Sequence, residues 1–587
     1  MKTTWNLNLL YKGADDPQIE KDIRKTELAY EAFEKKYRNK TDYQKDESKL
    51  FRALSDYENL FEDLDYSKPA SYFNYIQCLD SNNDLARAKV VQFSERLSKA
   101  YNKIIFFELG IAKIPEKLQG KFLKSKKLSH FKHFLWFIFA TAKHNLSESE
   151  EKIMNLKNIP SYQMWIDFRN KLTSKQSVEF QGQKMPLSEA LQKIDDLPKR
   201  EDRRELHRLV MDKLESLSDV AEAELNAVVV NKKINDELRG FETAYDQTLL
   251  GYQNDRKSVL ALVSAVTSGF PIAHRFYRLH AKLLKLPKLE YFDRNVGIAK
   301  NARRIEFVEA VKTVRDVFAK TDKKYADILD SFLENGQIDV YPKVGKTGGA
   351  FCSGEHRQPT FVLLNYTSTL DQIMTLAHEM GHAIHTELSK SAQTFFYRGY
   401  STSTAEVAST FFEALVFDEI LEKVSDEEKI ALLHVKISDD IRTIFRQIAC
   451  FNFEKELHET VRAKGGVPAA ELRSLMAKHL KSYMGDAVDV KESDGNIFVD
   501  WWHIRVFFYV YSYAFGQLIS KALYAKYKEN KKFIGKINQF LSAGGSDTPE
   551  NIFKLIGIDV TKPDFWKKGL ASIEKDIEKL EKLTKKK

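Results

Sequence analysis

The stretch TLDQIMTLAHEMGHAIHTEL, Thr369 to Leu388, decides how this part of the chain folds. Its apolar residues recur every three to four positions, which is the period of an α-helix. Thr369 and Gln372 have the spacing of a capping box, so we expect the helix to begin at Thr369. Three histidines and two glutamates interrupt the apolar pattern. They are either parts of a metal site or polar residues without a function.

Two of the histidines have the spacing of metal ligands. His378 and His382 are four residues apart, about 400° of helical rotation, so both imidazoles project from one side of the helix. Glu379 is rotated off the line between them, where its carboxylate can act as general base toward a water at the metal. Gly381 would allow another element to approach the helix closely. The H-E-x-x-H pattern occurs by chance in roughly 2% of chains of this size, so its surroundings must support this interpretation.

In the zinc motif H-E-x-x-H-x-x-G-x-x-H, the third histidine would stand at position 388, which is a leucine here. A third protein ligand must therefore come from another segment. The helical run AEVASTFFEALVFDEILEKV carries Glu406 and Glu413 on one face. Two interpretations stay open: Glu406 is the ligand, or Glu406 caps the helix at Ser403 and Glu413 is the ligand. His385 is either a residue that supports the ligands or a packed core histidine.

The rest of the chain is predicted to be mainly α-helical. Only 13 prolines and 25 glycines among 587 residues favour long helices over many turns. Residues 336–366 instead alternate β-branched and aromatic residues between glycines and prolines, which predicts a small sheet. We expect an N-terminal helical lobe over residues 1–200 and a catalytic helical domain over 201–587. The second contains this sheet, the metal-binding helices at about 370–422 and a C-terminal aromatic helix.

Composition argues against several classes of protein. The 92 basic and 83 acidic residues are interspersed despite a net charge of +9, so no nucleic-acid surface is indicated. The apolar run HFLWFIFATA is about half the ~20 residues that span a bilayer, so we expect no membrane partner. No signal peptide is visible, and a cytoplasmic location is favoured by three widely separated cysteines, Cys78, Cys352 and Cys450.

The chain resembles the oligoendopeptidase F group of the thimet-oligopeptidase-like zinc metallopeptidases. The resemblance is carried by GKTGGAFCSG, LLNYTSTLDQIMTLAHEMGHAIH and AEVASTFFEAL, and WNLNLLYKGADDP and LSAGGSDTPENIFKLIGIDV extend it over essentially the whole chain. It implies one zinc per chain bound by His378, His382 and Glu406, with Glu413 orienting a ligand histidine. It also implies a two-lobed helical fold with a small sheet beside the active-site helix and a deep channel between the lobes. Internal bonds of short peptides would be hydrolysed in that channel.

An aromatic segment is similar to the aromatic helix of that family. Attack of water on a peptide carbonyl creates an oxyanion, which needs hydrogen-bond donors. The candidate donors in HIRVFFYVYSY are His503, Tyr509, Tyr511 and Tyr513. The alternative is a buried aromatic helix whose hydroxyls bond to the backbone.

A glycine segment precedes the strand-like FVLLNY. The exposed backbone of Gly348, Gly349, Ala350 and Phe351 could pair with an extended peptide as an added strand. Ordinary turn glycines are the alternative. Cys352 in this segment is interpreted as a small buried hydrophobic residue.

Two other functions compete with an endopeptidase. A catalytically silent peptide-binding protein would have no chemical need for Glu379. A carboxypeptidase or dipeptidyl carboxypeptidase would need a cation for the terminal carboxylate of its substrate, and Arg398 or Arg505 could supply it.

Overall fold

The apolar periodicity of the sequence produces a structure built almost entirely from helices. The computed structural model describes residues 1–298, 304–355 and 357–585, and 72% of the chain is helical with only a few small sheets. The predicted mainly α class is therefore confirmed. The lobed shape and the substrate channel stay predictions.

The α-helices in chain order are α1 Pro17–Tyr37, α2 Glu47–Glu62, α3 Lys68–Leu79, α4 Asp84–Tyr101, α5 Phe106–Ala112, α6 Glu116–Leu123, α7 Lys132–Ala142, α8 Glu148–Asn158, α9 Met164–Ser174, α10 Leu187–Asp196, α11 Arg200–Glu215, α12 Ser218–Leu238, α13 Asp246–Gly251, α14 Arg256–Ser268, α15 Phe270–Leu283, α16 Phe307–Thr321, α17 Lys323–Asn335, α18 Asp371–Ala392, α19 Phe395–Arg398, α20 Thr402–Lys423, α21 Asp426–Asp440, α22 Arg446–Lys464, α23 Ala469–Met484, α24 Tyr511–Glu529, α25 Ile534–Ala543, α26 Pro549–Leu555 and α27 Pro563–Lys585. The strands are β1 Ser177–Phe180, β2 Gln183–Pro186, β3 Leu289–Glu290, β4 Ile338–Asp339, β5 Phe351–Ser353, β6 Phe361–Leu363 and β7 Val488–Asp489.

The chain divides into two compact units, and each unit is assembled from separate segments. Unit 1 consists of Met1–Lys143, Ala302–Glu422 and Leu523–Ile558. Unit 2 consists of His144–Asn301, Lys423–Ala522 and Asp559–Lys587. This division differs from the predicted one at residue 200, because both units contain residues from either side of that position.

The small sheet of unit 1 lies where the glycine-rich and β-branched segment predicts it. Its strand order is β4-β6-β5, with β4 parallel and β5 antiparallel to β6. Strand β6 is fully buried, and the Trp5 indole donates to the Val362 carbonyl oxygen at 2.7 Å. Helix α18 packs against β5 and β6, so the sheet supports the helix that carries the histidine motif.

Aromatic side chains form much of the remaining core of unit 1. Phe33, Tyr57 and Phe107 come from α1, α2 and α5, and the centroids of the Tyr57 and Phe107 rings are 4.9 Å apart. Large rings of this kind bury more area than aliphatic side chains and add favourable edge and offset contacts. The core therefore fixes the N-terminal helices without disulfides.

The C-terminal helix α27 closes the core of unit 2. Its buried residues recur at alternating spacings of four and three, the stripe expected for a helix with one apolar face: Trp566, Leu570, Ile573, Ile577 and Leu580. This face packs against α14 and α21.

One window of unit 2, Arg256–Leu283, is long and apolar enough to cross a membrane by length and composition alone. It consists of two helices, α14 and α15, with Gly269 between them. Half of the apolar window is buried inside the protein, and helices in the core of a globular protein meet the same criterion.

Candidate metal centre

Helix α18 carries the histidine motif but begins later than the sequence predicts. Leu370 precedes its first residue, and no side chain caps the end of the helix. The Gln372 amide donates to the carbonyl oxygen of Thr369 at 3.1 Å. The predicted capping box of Thr369 and Gln372 is therefore wrong, because backbone hydrogen bonding already satisfies this amide.

Gly381 allows helix α20 to lie directly on helix α18. A Cβ atom added at Gly381 would lie 2.7 Å from the Ser409 Cα atom and 3.2 Å from the Ala408 carbonyl oxygen. Only glycine permits this distance between the two backbones. The contact brings the side chain of Glu406 toward the two histidines.

Glu406 does not cap helix α20. The helix begins at Thr402, and the hydroxyl of Ser403 pairs with that of Ser401 at 2.8 Å. Within the described part of the chain, the Glu406 carboxylate accepts a hydrogen bond from the Ser409 hydroxyl at 3.2 Å and makes none with Ser403. The carboxylate is thus available to a metal.

His378, His382 and Glu406 form a compact cluster in unit 1. Their potential ligand atoms all lie within 4.8 Å of one another. Nε2 of His378 is 3.5 Å from Oε2 of Glu406, and Nε2 of His382 is 3.9 Å from Oε1 of Glu406. A tetrahedral zinc ion with nitrogen and oxygen ligands separates neighbouring ligand atoms by about 3.4 Å. The donor set and its spacing therefore fit zinc.

Glu413 orients the first histidine. Oε2 of Glu413 lies 3.2 Å from Nδ1 of His378. Because a carboxylate can only accept, Nδ1–H donates, and Nε2 is the ring nitrogen that faces the cluster. Partners of this kind fix the tautomer and ring orientation of metal-bound histidines.

The charged groups in and around the cluster favour the binding of a metal cation. Burial lowers the pKa of His378, but its hydrogen bond to Glu413 and the charges of the nearby glutamates outweigh burial and raise that pKa to about 9. Burial and the charge of His378 lower the pKa of His382 to about 3. Three carboxylates, from Glu379, Glu406 and Glu413, surround these two imidazoles, and a divalent cation would balance their charge.

Glu379 is buried beside the three predicted metal ligands, and its carboxylate lacks a complete set of hydrogen-bond partners. Its side chain is 6% exposed, and its Oε2 atom has no hydrogen-bond partner among the residues that the structure describes. Burial raises its pKa to about 7, with His378 opposing and Glu406 adding to the shift. A buried acceptor left open in this way is unusual in a folded core, and it suits a group that exchanges a proton with substrate.

His385 is packed in the core, one of the two interpretations left open by the sequence. Its ring stacks on Tyr400 with centroids 3.7 Å apart, and Phe540 lies at 5.4 Å. It makes no hydrogen bond to the three clustered residues within the described ranges. Burial and the neighbouring His382 lower its pKa to about 3, so it is neutral.

The aromatic segment lies in unit 2 and is less helical than predicted. His503 is in a short 3₁₀ turn, Trp502–Arg505, and α24 begins only at Tyr511. Phe507 and Phe508 between them have φ values of 60° and 62°. The predicted continuous helix is therefore wrong before Tyr511. Tertiary contacts override the helical period, since the Phe508 amide donates to buried Glu454 at 2.8 Å.

Three of the four candidate donors lie together in unit 2. The Tyr509 hydroxyl and Nδ1 of His503 are 2.6 Å apart. The Tyr513 ring centroid is 5.8 Å from that of Tyr509 and 6.0 Å from that of His503. Burial and the charge of Arg446 lower the pKa of His503 to about 4, so its imidazole is neutral.

Tyr511 is turned away from these three side chains. It is fully buried, and its hydroxyl donates to Oδ1 of Asn254 at 2.8 Å. The Tyr511 hydroxyl is therefore engaged inside the core, although by a side-chain amide oxygen and not by the backbone that we expected for a structural tyrosine. The candidate donors that lie together are His503, Tyr509 and Tyr513.

The predicted peptide-binding segment forms an exposed loop that leads into β5. Gly348 and Gly349 are exposed, and Gly349 has a φ of 77°, which favours glycine. The Asn365 amide donates to the carbonyl oxygens of Thr347 at 2.9 Å and Gly349 at 2.7 Å. β5 is an edge strand in the described part of this sheet. Sequence reasoning missed Asn365, and the available signal is a polar asparagine directly after the strand-like FVLL.

Two family models match the chain. The model for Peptidase family M3 matches residues 194–572, and the Oligopeptidase F model matches residues 111–175. The chain belongs to peptidase family M3. Membership in peptidase family M3 makes it a peptidase and confirms the family resemblance seen in its motifs.

Similar proteins with known names match all of the chain or about half of it. Oligoendopeptidase F, plasmid, from Lactococcus lactis subsp. cremoris is 25% identical over 612 residues, which cover 100% of this chain and 98% of the relative. Oligopeptidase PepF from Bacillus subtilis strain 168 is 32% identical over 330 residues, covering 55% of this chain and 48% of the relative.

Solved structures share the fold of this M3 family chain. A candidate peptidase from Chlamydophila abortus superposes with a TM-score of 0.84 at 21% identity, covering 99% of this chain and 98% of the other. Oligoendopeptidase-F from Enterococcus faecium superposes with a TM-score of 0.70 at 19% identity, covering 97% of this chain and 100% of the other.

Proposed function

We propose that this M3 family peptidase is a zinc-dependent endopeptidase that hydrolyses internal bonds of short peptides. The observation that carries the proposal is the cluster of His378, His382 and Glu406, with the open carboxylate of Glu379 beside it. The relatives named oligoendopeptidase F support the same activity.

Each residue of the cluster has a distinct role in this proposal. His378, His382 and Glu406 would hold one zinc ion per chain, with Glu413 fixing the His378 ring. Zinc, when bound, acts as a Lewis acid on the peptide carbonyl and makes water a better nucleophile at neutral pH. Glu379 accepts the proton of the attacking water at its open Oε2 atom and returns it to the leaving amine. No covalent intermediate is required.

The oxyanion donors are proposed from the aromatic segment. His503, Tyr509 and Tyr513 are assigned as donors to the carbonyl oxygen as negative charge develops on it. Support comes from the neutral His503 ring and from hydroxyls that are half-buried rather than enclosed in the core.

The edge strand β5 is proposed to bind the substrate backbone. Strand β5 packs against α18, the helix that carries Glu379. Burial raises the pKa of the Cys352 thiol, and the charge of Glu379 adds to that shift. An extended peptide that pairs with β5 would use its backbone rather than its side chains, which gives affinity with little sequence preference. Gly348, Gly349, Ala350 and Phe351 form the approach to this strand.

The charged contacts favour an endopeptidase over a carboxypeptidase. Arg505 is fully buried, with Nη2 2.8 Å from the Glu224 carboxylate. Nη2 of Arg398 lies 3.2 Å from Oε2 of Glu62, and its Nε donates to the Gln393 carbonyl oxygen at 2.7 Å. Both guanidinium groups suggested for a terminal carboxylate are thus engaged inside the protein.

An internally quenched peptide blocked at both ends tests this function. The zinc-loaded protein should cleave it, lose that activity to a chelator and regain it with added zinc, with one zinc per chain by metal analysis. Cleavage only of peptides with a free C-terminus would support the carboxypeptidase instead, and active protein without zinc would overturn the metal assignment.

We also propose a cytoplasmic location. Cys78, Cys352 and Cys450 are all free thiols, as expected for a protein of a reducing compartment. Fractionation of the source cells tests this assignment.

A further inference from the structure

A recess lies beside helix α18 in unit 1, and we call it the α18 pocket. Its volume is about 380 Å³. The walls come from the end of β5, the C-terminal half of α18, the segment 395–400 and Tyr66. Its charged and aromatic lining residues are Glu355, Lys390, Arg398, Tyr66, Phe395 and Tyr400.

The α18 pocket is formed partly by residues that contact helix α18, the helix that carries His378 and His382. Tyr400, in its wall, stacks on His385 at 3.7 Å. Burial raises the pKa of Tyr400, and the charges of Cys352 and Glu406 add to the shift. A Cβ atom added at Gly354 would lie 2.6 Å from Cγ2 of Thr386, so the chain leaving β5 lies directly on α18. A peptide paired with β5 would reach this pocket at the end of the strand.

The two cations of the α18 pocket already have partners inside the protein. The Lys390 ammonium donates to the Gln358 carbonyl oxygen at 2.9 Å and to Oγ1 of Thr360 at 2.8 Å, and it lies 3.6 Å from Glu387. An ammonium has three donor positions, so little capacity remains for a ligand. Arg398 is engaged by Glu62 and the Gln393 carbonyl oxygen.

Glu355 differs from both cations. Its side chain is exposed at the pocket, and it makes no hydrogen bond or ion pair with any residue that the structure describes. Desolvation by the surrounding protein raises the pKa of the Glu355 carboxyl, and Lys390 opposes this shift. A further cation at the pocket would stabilise the carboxylate. The aromatic residues Tyr66, Phe395 and Tyr400 line the same pocket, and aromatic rings also attract cations.

We infer that the α18 pocket is a substrate subsite that accepts a positively charged side chain, lysine or arginine, through the Glu355 carboxylate and the aromatic walls. The inference rests on the proposed peptidase function and adds a preference to it. Backbone pairing along β5 supplies affinity without selectivity, and the α18 pocket then favours peptides with a basic residue at one fixed distance from the cleaved bond.

A positional scan tests the subsite. Lysine is moved through successive positions of an internally quenched peptide blocked at both ends, and each peptide is compared with one that carries norleucine, which lacks only the ammonium. At one position, the wild-type protein should prefer lysine by about 5- to 10-fold in kcat/KM. The preference should fall to near unity in Glu355→Gln and invert in Glu355→Lys, with norleucine peptides cleaved at nearly the wild-type rate.

A matched control and a binding measurement complete the experiment. Glu116→Gln makes the same chemical change at an exposed glutamate of unit 1 outside the pocket, and it should keep the lysine preference. The same peptide pairs are titrated against zinc-loaded Glu379→Gln by fluorescence anisotropy, so that affinity is measured without turnover. The lysine peptide should bind more tightly than its norleucine partner, and adding Glu355→Gln should remove the difference.

The outcomes separate the subsite from the proposed function. Three outcomes would overturn the subsite but not the proposed peptidase function. They are efficient cleavage without a lysine preference at any position, a preference for acidic residues, and a lysine preference that persists in Glu355→Gln. If no blocked peptide is cleaved, the proposed function fails, and the anisotropy difference alone decides whether the pocket binds cations.

Discussion

In the proposed mechanism, Glu379 is the residue on which the chemistry depends most directly. Glu379→Gln should retain zinc but lose turnover by at least about 100-fold, because an amide cannot accept the proton of water. Zinc content and kcat measured on the same preparation check this expectation. A variant with wild-type kcat would show that another group is the base.

Glu406 and Glu413 make a second, paired prediction. Glu406→Gln removes a proposed zinc ligand and should abolish stable zinc binding. Glu413→Gln leaves the ligands in place but loosens His378, so its zinc affinity should fall by about 10- to 100-fold. Competition with a chromophoric chelator measures both affinities. Stronger zinc loss in Glu413→Gln than in Glu406→Gln would exchange the two assignments.

The tyrosines of the aromatic segment separate catalytic from structural hydroxyls. Tyr509→Phe and Tyr513→Phe should lower kcat by about 100-fold with little change in KM, if their hydroxyls act mainly in the transition state. Tyr511→Phe should keep near-normal kinetics and lose about 1 kcal/mol of stability with its bond to Asn254. Measuring kcat and Tm for all three, with His503→Ala, tests the assignment. Near-normal kcat in every variant would make the segment purely structural.

Single residues of the site could be predicted because spacing along a helix fixes direction. The side chains of His378 and His382 had to project together, and the structure places them together. Glu406 and Glu413 could not be distinguished by spacing, since both share a face of α20. The close contact at Gly381 places the Glu406 carboxylate 3.5 Å from Nε2 of His378 and 3.9 Å from Nε2 of His382. Contacts between distant segments of this kind are not visible in a local pattern.

At the scale of whole elements, Gly381 determines how α18 and α20 meet. Gly381→Ala should weaken zinc binding and lower stability by about 1–3 kcal/mol, because the added methyl group forces two packed backbones apart. Gly120→Ala is the matched control: it is also a helical glycine, and an added Cβ there has nothing within 4 Å. Alanine should stabilise that helix by roughly 0.5–1 kcal/mol. Denaturant unfolding and zinc titration compare the two variants, and equal behaviour would contradict the close-contact argument.

Helices and the small sheet were predictable as elements, whereas their ends were not. The expected start of the aromatic helix failed because Phe508 donates its amide to Glu454, a residue distant in sequence. The expected capping box at Thr369 failed because the backbone alone satisfies Gln372. Element ends depend on single hydrogen bonds, which tertiary contacts can replace, whereas the periodicity of a long helix is supported by many residues.

For the whole molecule, Glu454 links stability to pH. Burial raises its pKa from an ordinary 4.5 to about 8, with the Phe508 amide opposing the shift. The folded protein therefore holds a proton that the unfolded chain releases above pH 4.5. The stabilising contribution of neutral Glu454 is fully present below that value and is lost as pH rises to about 8, at ~1.4 kcal/mol per pH unit.

Glu454→Gln should remove this contribution to the pH dependence. Denaturant midpoints of wild type and variant at several values between pH 5 and pH 8 measure the difference in slope. Glu459→Gln, at an exposed position of the same helix α22, should keep the wild-type slope. Parallel curves for wild type and Glu454→Gln would show that Glu454 ionises normally.

The interleaved segments of the two units have a consequence for how the protein is made. Trp5 donates to Val362, and helix α18 packs on α25, Ile534–Ala543. At about 5–20 residues per second, a ribosome delivers the last segment of unit 1 roughly 30–110 s after the first. Unit 1 lacks a segment until Ile558 has been made, and unit 2 lacks a segment until the residues after Asp559 have been made. Apolar helix faces are therefore left without their partners during this time. A newly made chain should therefore depend on holding chaperones, and no contiguous fragment should fold as an isolated unit.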